Sequence, residues 1–173
     1  MRRLPWDEYF MAQAKLLASR STCLRLKVGC VITREKRIIA TGYNGSVSGE
    51  VHCSEAGCKM EDGHCIRTVH AEANALTQCA RFGVATEGAS LYVTHFPCLN
   101  CVKLIIQAGI RHIYYAHEYR IHPYALELLQ LKGIGLTQIS VSLRDWFAEV
   151  EKEEEESAGG APGATKNHNL AQA

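Results

Sequence analysis

Two short stretches of this sequence, His-Ala-Glu at positions 70–72 and Pro-Cys-Leu-Asn-Cys at positions 97–101, decide its fold. Residues 71–81 are rich in Ala and Leu and contain no Pro or Gly, which predicts a helix that begins at the first stretch. Pro97 suits the first turn of a second helix, predicted over residues 98–107. Residues 90–94 between them predict a strand, and we expect the two helix N-termini to converge on one point.

The residue types at these two N-termini predict a metal site. Zinc favours imidazole and thiolate ligands in tetrahedral geometry, and catalytic zinc sites combine three protein ligands with water. His70, Cys98 and Cys101 would supply the three ligands, and zinc would lower the pKa of the water toward ~7 so that hydroxide is available. Glu72 is then free to move protons. Taken alone, the pair Cys98 and Cys101 would also fit a redox pair or half of a structural zinc site. Taken alone, His70 would also fit an ordinary core histidine. The ordered combination favours a catalytic zinc.

Composition indicates one globular domain, predicted over residues 1–150. Of the 173 residues, 47% are hydrophobic and 21% charged, as in ordinary globular proteins. The sequence has no apolar run of transmembrane length and no apolar signal core behind its N-terminal charges, so a cytoplasmic protein without a membrane partner is expected. In the cytoplasm, eight cysteines favour metal binding over disulfides.

The charge is unevenly distributed along the chain. The total is 19 basic and 18 acidic residues, but six Glu and two Lys follow residue 148, which leaves 17 basic and 12 acidic residues before it. A formal charge of +5 suits a phosphorylated substrate and is too weak to argue for a nucleic-acid groove, so no nucleic-acid partner is expected. Residues 151–173, a glutamate run followed by Gly and Ala, predict a disordered tail, because they cannot bury enough surface to fold.

Periodicity elsewhere predicts an α/β fold. Two adjacent strands followed by alternating helices and strands favour a mixed sheet packed between helices. The predicted helices cover residues 5–19, 71–81, 98–107 and 123–132, and the predicted strands cover residues 28–33, 38–43, 90–94, 112–115 and 136–141. An insertion at residues 45–68 is rich in Gly, Cys and His and shows no periodicity. Long irregular segments inside compact domains are usually functional.

Several segments resemble the cytidine and deoxycytidylate deaminase family, and most of all its dCMP deaminase branch. The order H-x-E…P-C-x-x-C is the signature of zinc-dependent nucleobase deaminases. Gly-Tyr-Asn-Gly at positions 42–45 and the cysteine-bearing insertion favour the dCMP branch. The segments that carry the resemblance are residues 27–32, 41–45, 67–72, 92–98 and 105–110.

The resemblance implies a fold and a reaction. The fold is a three-layer α/β/α architecture with a five-stranded mixed sheet. The reaction is hydrolytic deamination of dCMP to dUMP and ammonia, which feeds dTMP synthesis, with zinc-bound hydroxide as nucleophile and Glu72 as proton shuttle.

The resemblance also implies substrate contacts. Asn44 would hydrogen-bond the sugar near its 3′ hydroxyl, although Asn before Gly45 is also a common turn pair. Basic side chains would lie near the 5′-phosphate, although solvated surface charges are an equal alternative for each of them. The candidates for the phosphate are Arg25, Lys27 and Arg120, and the substrate site would also include Ala71 and Tyr119.

A second zinc site is predicted from the remaining cysteines. Cys30 and Cys79 fall in a predicted strand and helix and are expected to be small core residues. The four cysteines in loops would close a tetrahedral structural site, as in family members with a second zinc: Cys23, Cys53, Cys58 and Cys65. His64 is an alternative to Cys65 as a ligand, and free reduced thiols are the alternative to a site.

Family resemblance further implies regulation and assembly. We expect dCTP and dTTP as effectors, Mg²⁺ with a bound effector, and a homo-oligomer of two to six subunits. One rival hypothesis is a non-enzymatic, zinc-stabilised competence or DNA-uptake factor, against which the intact Glu72 argues. Another is a deaminase of a different cytosine or adenine substrate, such as tRNA adenosine, which would need a more basic surface.

Overall fold

The computed structural model describes residues 3–159, except the side chains of His64 and of residues 157–159. One compact unit comprises Leu4–Val141, and residues 142–159 belong to a second unit. The first unit contains five main strands, five helices and four short strands. In chain order these are α1 (Trp6–Ala18), β1 (Gly29–Arg34), β2 (Arg37–Tyr43), β3 (Gly45–Ser46), α2 (Cys53–Ala56), β4 (Met60–Glu61), β5 (His64–Cys65), β6 (Thr68–Val69), α3 (Ala71–Phe82), β7 (Ser90–His95), α4 (Leu99–Gln107), β8 (His112–His117), α5 (Pro123–Leu131) and β9 (Gly135–Gln138).

The main sheet has five strands in the order β2-β1-β7-β8-β9. Strand β1 pairs antiparallel with both β2 and β7, with Cys30 opposite Val93 in the second pair. Strands β7, β8 and β9 run parallel, joined by helices α4 and α5 as crossovers. The sheet is therefore mixed and five-stranded, as the sequence predicted.

Side chains alternate between two cores on opposite faces of this sheet. Val31 and Tyr92 point to the face covered by α1, where they pack against Phe10, Met11 and Ala14. The neighbouring strand positions point to the other face and pack against α3, α4 and α5: Cys30, Ile32, Leu91 and Val93. Because β1 and β7 are apolar on both faces, this part of the sheet must be covered on both sides. The predicted three-layer α/β/α fold is confirmed.

Close packing of α3 on the sheet depends on Gly42. A Cβ at this position would meet the backbone carbonyl oxygen of Ala71 and lie 2.7 Å from the backbone nitrogen of Ala75. Asn74 adds a tether from α3, since its Nδ2 donates to the carbonyl oxygen of Tyr43 at 2.9 Å. The first turn of α3 is thus held against the end of β2.

The structure differs from the sequence predictions at three places. Strand β9 is shorter than the predicted strand 136–141, and it begins one residue earlier. The insertion contains two ladders of two-residue strands, β3 with β6 and β4 with β5, and the four-residue helix α2.

The third difference lies at the C-terminal end of the described chain. A helix, α6 (Leu143–Gly159), crosses the expected boundary at residue 150, so residues 151–159 are helical where a disordered tail was predicted. Glu and Lys have high helix propensity, which favours this helix. The rest of the predicted tail, residues 160–173, lies outside the described residues. Among residues 3–159, no helix is both long and apolar enough to span a bilayer.

Candidate active site

Two helix N-termini bring one histidine and two cysteines together. His70 is the N-cap residue of α3, and Cys98 is the N-cap residue of α4. Cys101 lies one turn into α4, three residues after Cys98, and is 3% exposed. We call His70, Cys98 and Cys101 the histidine–cysteine cluster. The partial positive charge of a helix N-terminus stabilises thiolates at these positions.

The spacing of this cluster fits a tetrahedral zinc ion. His70 Nδ1 lies 3.5 Å from Cys98 Sγ and 3.4 Å from Cys101 Sγ. A zinc with ordinary bond lengths sets an imidazole nitrogen and a thiolate sulfur about 3.5 Å apart. All three ligand atoms lie within 4.8 Å of one another. The donor set is therefore suited to zinc, with one coordination position left for another ligand.

The two thiols of the cluster differ in acidity because they share one proton. A hydrogen bond from the Cys101 thiol, together with His70, lowers the pKa of Cys98 to about 4. The same hydrogen bond and burial raise the pKa of Cys101. Hydrogen bonding to Cys98 raises the pKa of His70 in turn. The cluster thus holds a thiolate ready for a cation.

Glu72 is buried next to this cluster. Its side chain is 4% exposed, in the first turn of α3 and two residues from His70. Burial raises the pKa of the Glu72 carboxyl, while the nearby His70 and a hydrogen bond from Cys101 act in the opposite direction. A carboxyl with a raised pKa can both accept and release a proton near neutral pH.

A cavity of about 600 Å³ opens above the cluster and Glu72. Its wall includes the candidate substrate residues Ala71, Asn44, Arg25, Tyr119 and Arg120. Lys27 is exposed and is not among the described residues that line the cavity. Of those lining residues, Glu72 is the one carboxylate, whereas two are arginines. This balance of charge favours an anionic ligand.

Asn44 has a structural task in addition to its place on the wall. Its Oδ1 accepts from the backbone nitrogen of Val28 at 2.8 Å, and its Nδ2 donates to the carbonyl oxygen of Leu26 at 2.7 Å. The side chain therefore holds the loop before β1. One Nδ2 hydrogen and one Oδ1 lone pair remain for a further partner.

The two arginines on the wall are held differently. Arg25 Nη1 donates to the carbonyl oxygen of Gly63 at 2.8 Å, which ties this side chain to the insertion. Arg120 lies between β8 and α5 with a positive φ of 44°, and its guanidinium carbon is 5.6 Å from the ring centre of Tyr119. Within residues 3–159, Arg25 is thus tied to a backbone carbonyl, whereas Arg120 contacts the ring of Tyr119.

Sequence reasoning missed several wall residues. These include Thr68 before α3, His95 and Phe96 at the end of β7, and His122 before α5. Their positions depend on which strand ends meet at one edge of the sheet. The one signal in the sequence was that His95 and Phe96 directly precede Pro97.

Three cysteines of the insertion form a second cluster, which we call the three-thiol cluster. The sulfur atoms of Cys53, Cys58 and Cys65 lie within 4.8 Å of one another, and those of Cys53 and Cys65 are 3.7 Å apart. Cys23, the fourth ligand expected from the sequence, is buried and is not part of this group, although it lines the cavity. The side chain of His64, the alternative ligand, lies outside the described residues.

Backbone amides stabilise a thiolate in the three-thiol cluster. Burial raises the pKa of Cys65, but hydrogen bonds outweigh it and lower the pKa to about 7. These bonds come from the backbone amide of Arg67, the thiol of Cys53, and the backbone amides of Lys59 and Thr68. Burial and the neighbouring Cys65 raise the pKa of Cys53 to about 12. Amide hydrogen bonds of this kind support thiolates that bind a metal.

The chain matches the sequence model of a known family over residues 4–117. That family is described as the cytidine and deoxycytidylate deaminase zinc-binding region. The match covers the sheet through β8 and includes both N-termini that carry the histidine–cysteine cluster.

Individual relatives agree with this match. The chain is 57% identical to ComE operon protein 2 of Bacillus subtilis over 141 residues, which cover 82% of this chain and 75% of that protein. It is 42% identical to the deoxycytidylate deaminase of Saccharomyces cerevisiae over 146 residues, which cover 81% of this chain and 46% of the yeast protein. The chain thus spans less than half of the yeast relative.

A solved structure shows the same fold. The dCMP deaminase of the cyanophage S-TIM5, in complex with dCMP and dUMP, matches with a TM-score of 0.70 and 35% identity. The match covers 80% of this chain and 100% of the phage chain.

Proposed function

Because this chain belongs to the cytidine and deoxycytidylate deaminase family, we propose that it deaminates dCMP to dUMP and ammonia. The observation that carries the proposal is the buried Glu72 beside His70, Cys98 and Cys101 at the base of one cavity. Deoxycytidylate deaminases among its relatives, including the phage enzyme solved with dCMP and dUMP, support this substrate.

Within the proposed reaction, the histidine–cysteine cluster would hold zinc. Zinc bound there supplies Lewis acidity that lowers the pKa of water. Glu72 takes a proton from the attacking water and delivers it to the ring nitrogen next to carbon 4. It then helps protonate the departing amino group, so that the C–N bond breaks and ammonia leaves. Burial of Glu72 suits it to this double role, since its pKa is raised toward the working pH.

The wall of the cavity supports a monophosphate as substrate. Arg120 offers a cation beside Tyr119, and Arg25 a second one next to the insertion. Each charged hydrogen bond to a phosphate is worth roughly 1.5–3 kcal/mol. Asn44 can bond the sugar with its remaining Nδ2 hydrogen while it holds the loop at Leu26. Ala71 offers its backbone at the N-terminus of α3.

The proposal extends to a second metal and to regulation. The three-thiol cluster would bind a structural zinc, with Cys23 as the fourth ligand and His64 as the alternative to Cys65. By family resemblance, dCTP and dTTP act as effectors, with Mg²⁺ accompanying the bound nucleotide, in a homo-oligomer of two to six subunits. The product would feed dTMP synthesis in the cytoplasm.

A side-by-side assay tests the proposed function. Ammonia release is measured from dCMP, CMP, deoxycytidine and cytidine with the same zinc-loaded preparation. We expect kcat/KM for dCMP to exceed that for deoxycytidine at least about tenfold, from one charged hydrogen bond to the phosphate. Equal values would move the assignment to a nucleoside deaminase, and no release from any of the four would favour a non-enzymatic role.

A further inference from the structure

The cavity wall carries a histidine to which the proposed reaction assigns no task. His95 is the last residue of β7 and stands three residues before Cys98. Three residues of chain span at most about 10 Å, so His95 lies within a short distance of the histidine–cysteine cluster. Its side chain lines the cavity. A ligand whose reacting end meets Cys98 and Glu72 can therefore reach His95 with another part.

Hydrogen bonds behind the ring set the orientation of its donor. The backbone nitrogen of Gly29 donates to Thr94 Oγ1 at 3.2 Å, and Thr94 is buried. The hydroxyl of Thr94 lies 3.0 Å from His95 Nδ1. The Thr94 hydroxyl thus engages Nδ1 and leaves Nε2 as the ring nitrogen that faces a ligand. With the hydroxyl donating to Nδ1, the neutral imidazole carries its hydrogen on Nε2, and Nε2 is then the donor for a ligand.

The ring of Tyr119 contacts both this histidine and a cation. The ring of Tyr119 meets His95 edge to face, with centroids 6.2 Å apart, and the Arg120 guanidinium carbon lies 5.6 Å from the centre of the same tyrosine ring. His117 contacts the ring of His95 at 5.2 Å. Burial and His117 hold the pKa of His95 below its ordinary value, which favours the neutral form of the ring. One wall thus combines a neutral N–H donor with a guanidinium.

We propose that His95 is a specificity-determining residue that donates from Nε2 to the phosphate of a pyrimidine nucleoside monophosphate, next to Arg120. The inference rests on the proposed function, which supplies this class of substrate. A hydrogen bond to an anion is roughly twice as strong as one between neutral groups. A nucleoside without the phosphate does not form this bond. His95 therefore separates nucleotides from nucleosides.

Product binding tests this role without depending on turnover. The affinities of dUMP and deoxyuridine are measured by calorimetry for the zinc-loaded protein and its variants. His95→Leu should weaken dUMP roughly tenfold or more and deoxyuridine less than about twofold. His95→Gln, which restores an N–H donor, should recover part of the dUMP affinity. The matched control is His112→Leu, the same change at a histidine of β8 that does not line the cavity, which should leave the ratio of the two affinities unchanged.

Three results overturn the proposal: equal weakening of both ligands by His95→Leu, unchanged dUMP affinity, or no recovery in His95→Gln. If the leucine variant does not fold, ¹⁵N NMR of the unmodified protein decides, because the proposal requires a neutral ring with its hydrogen on Nε2. A hydrogen on Nδ1 contradicts it. Absence of ammonia release from dCMP would overturn the proposed function instead, while the comparison of dUMP with deoxyuridine would still report on His95.

Discussion

The two thiol-containing clusters of this protein are built on very different supports. His70, Cys98 and Cys101 stand at the N-termini of helices of 12 and nine residues, both packed against the five-stranded sheet. Cys53, Cys58 and Cys65 lie in an insertion whose regular structure is limited to two-residue strands and a four-residue helix. The first cluster is positioned by the core of the protein. The second is positioned by short elements of the insertion, although Cys53 is fully buried.

This difference separates the roles that a metal would have at each place. Core packing orders the histidine–cysteine cluster before any metal binds, so a zinc there adds chemistry. Short ladders bury little apolar surface, so a zinc at the three-thiol cluster would contribute directly to the folding of the insertion. The two sites should therefore respond differently when metal, ligands or wall residues are removed.

Chelation should produce the largest effect. Removal of zinc with a strong chelator is expected to abolish turnover and to speed proteolysis within residues 45–68 at least about tenfold, since that segment opens locally without its metal. The five-stranded sheet should keep its circular dichroism. Mass spectrometry of early fragments measures the cleavage sites. Unchanged cleavage in the insertion after complete metal loss would contradict a structural metal.

Glu72→Gln should act on chemistry alone. The amide keeps the shape of the side chain but cannot accept a proton, so kcat for dCMP should fall roughly 10²–10⁴-fold. Zinc content and the insertion's resistance to protease should stay the same. The control is Glu127→Gln, the same change at an exposed position of α5, which should be silent. Loss of metal in Glu72→Gln would make Glu72 a structural residue.

Arg120→Ala should have a smaller and more selective effect. Loss of its charged hydrogen bond should reduce kcat/KM for dCMP about tenfold or more and leave deoxycytidine nearly unchanged. Both clusters should retain their metal. Arg111→Ala, which removes an exposed arginine before β8, is the matched control. An equal loss for the two substrates would remove Arg120 from the phosphate site.

Much of the framework could be predicted because its signals are local. The helix beginning at the His-Ala-Glu stretch was expected over residues 71–81 and is observed at Ala71–Phe82. Long periodic segments and helix-start residues such as Pro97 are readable without tertiary information. The same holds for the alternation of strands and helices that produced the mixed sheet.

The remaining features depend on contacts between distant segments. Two-residue ladders such as β4 with β5 have no periodicity to detect. His95 lies on the cavity wall because β7 pairs with β1. Asn44 can hydrogen-bond the loop before β1 because the end of β2 lies beside residues 26–28. Helix α6 shows that the glutamate run continues a helix where a disordered tail was predicted.

Zinc content measured on the unmodified protein and on Cys53→Ser tests the contrast between the two clusters most directly. Cys79→Ala, which removes a buried thiol of α3 outside both clusters, is the control and should not change the metal content. We predict two zinc ions per chain in the unmodified protein and in this control. Cys53→Ser should retain one zinc, held by His70, Cys98 and Cys101. One zinc per chain in the unmodified protein, with the same content in Cys53→Ser, would contradict the account.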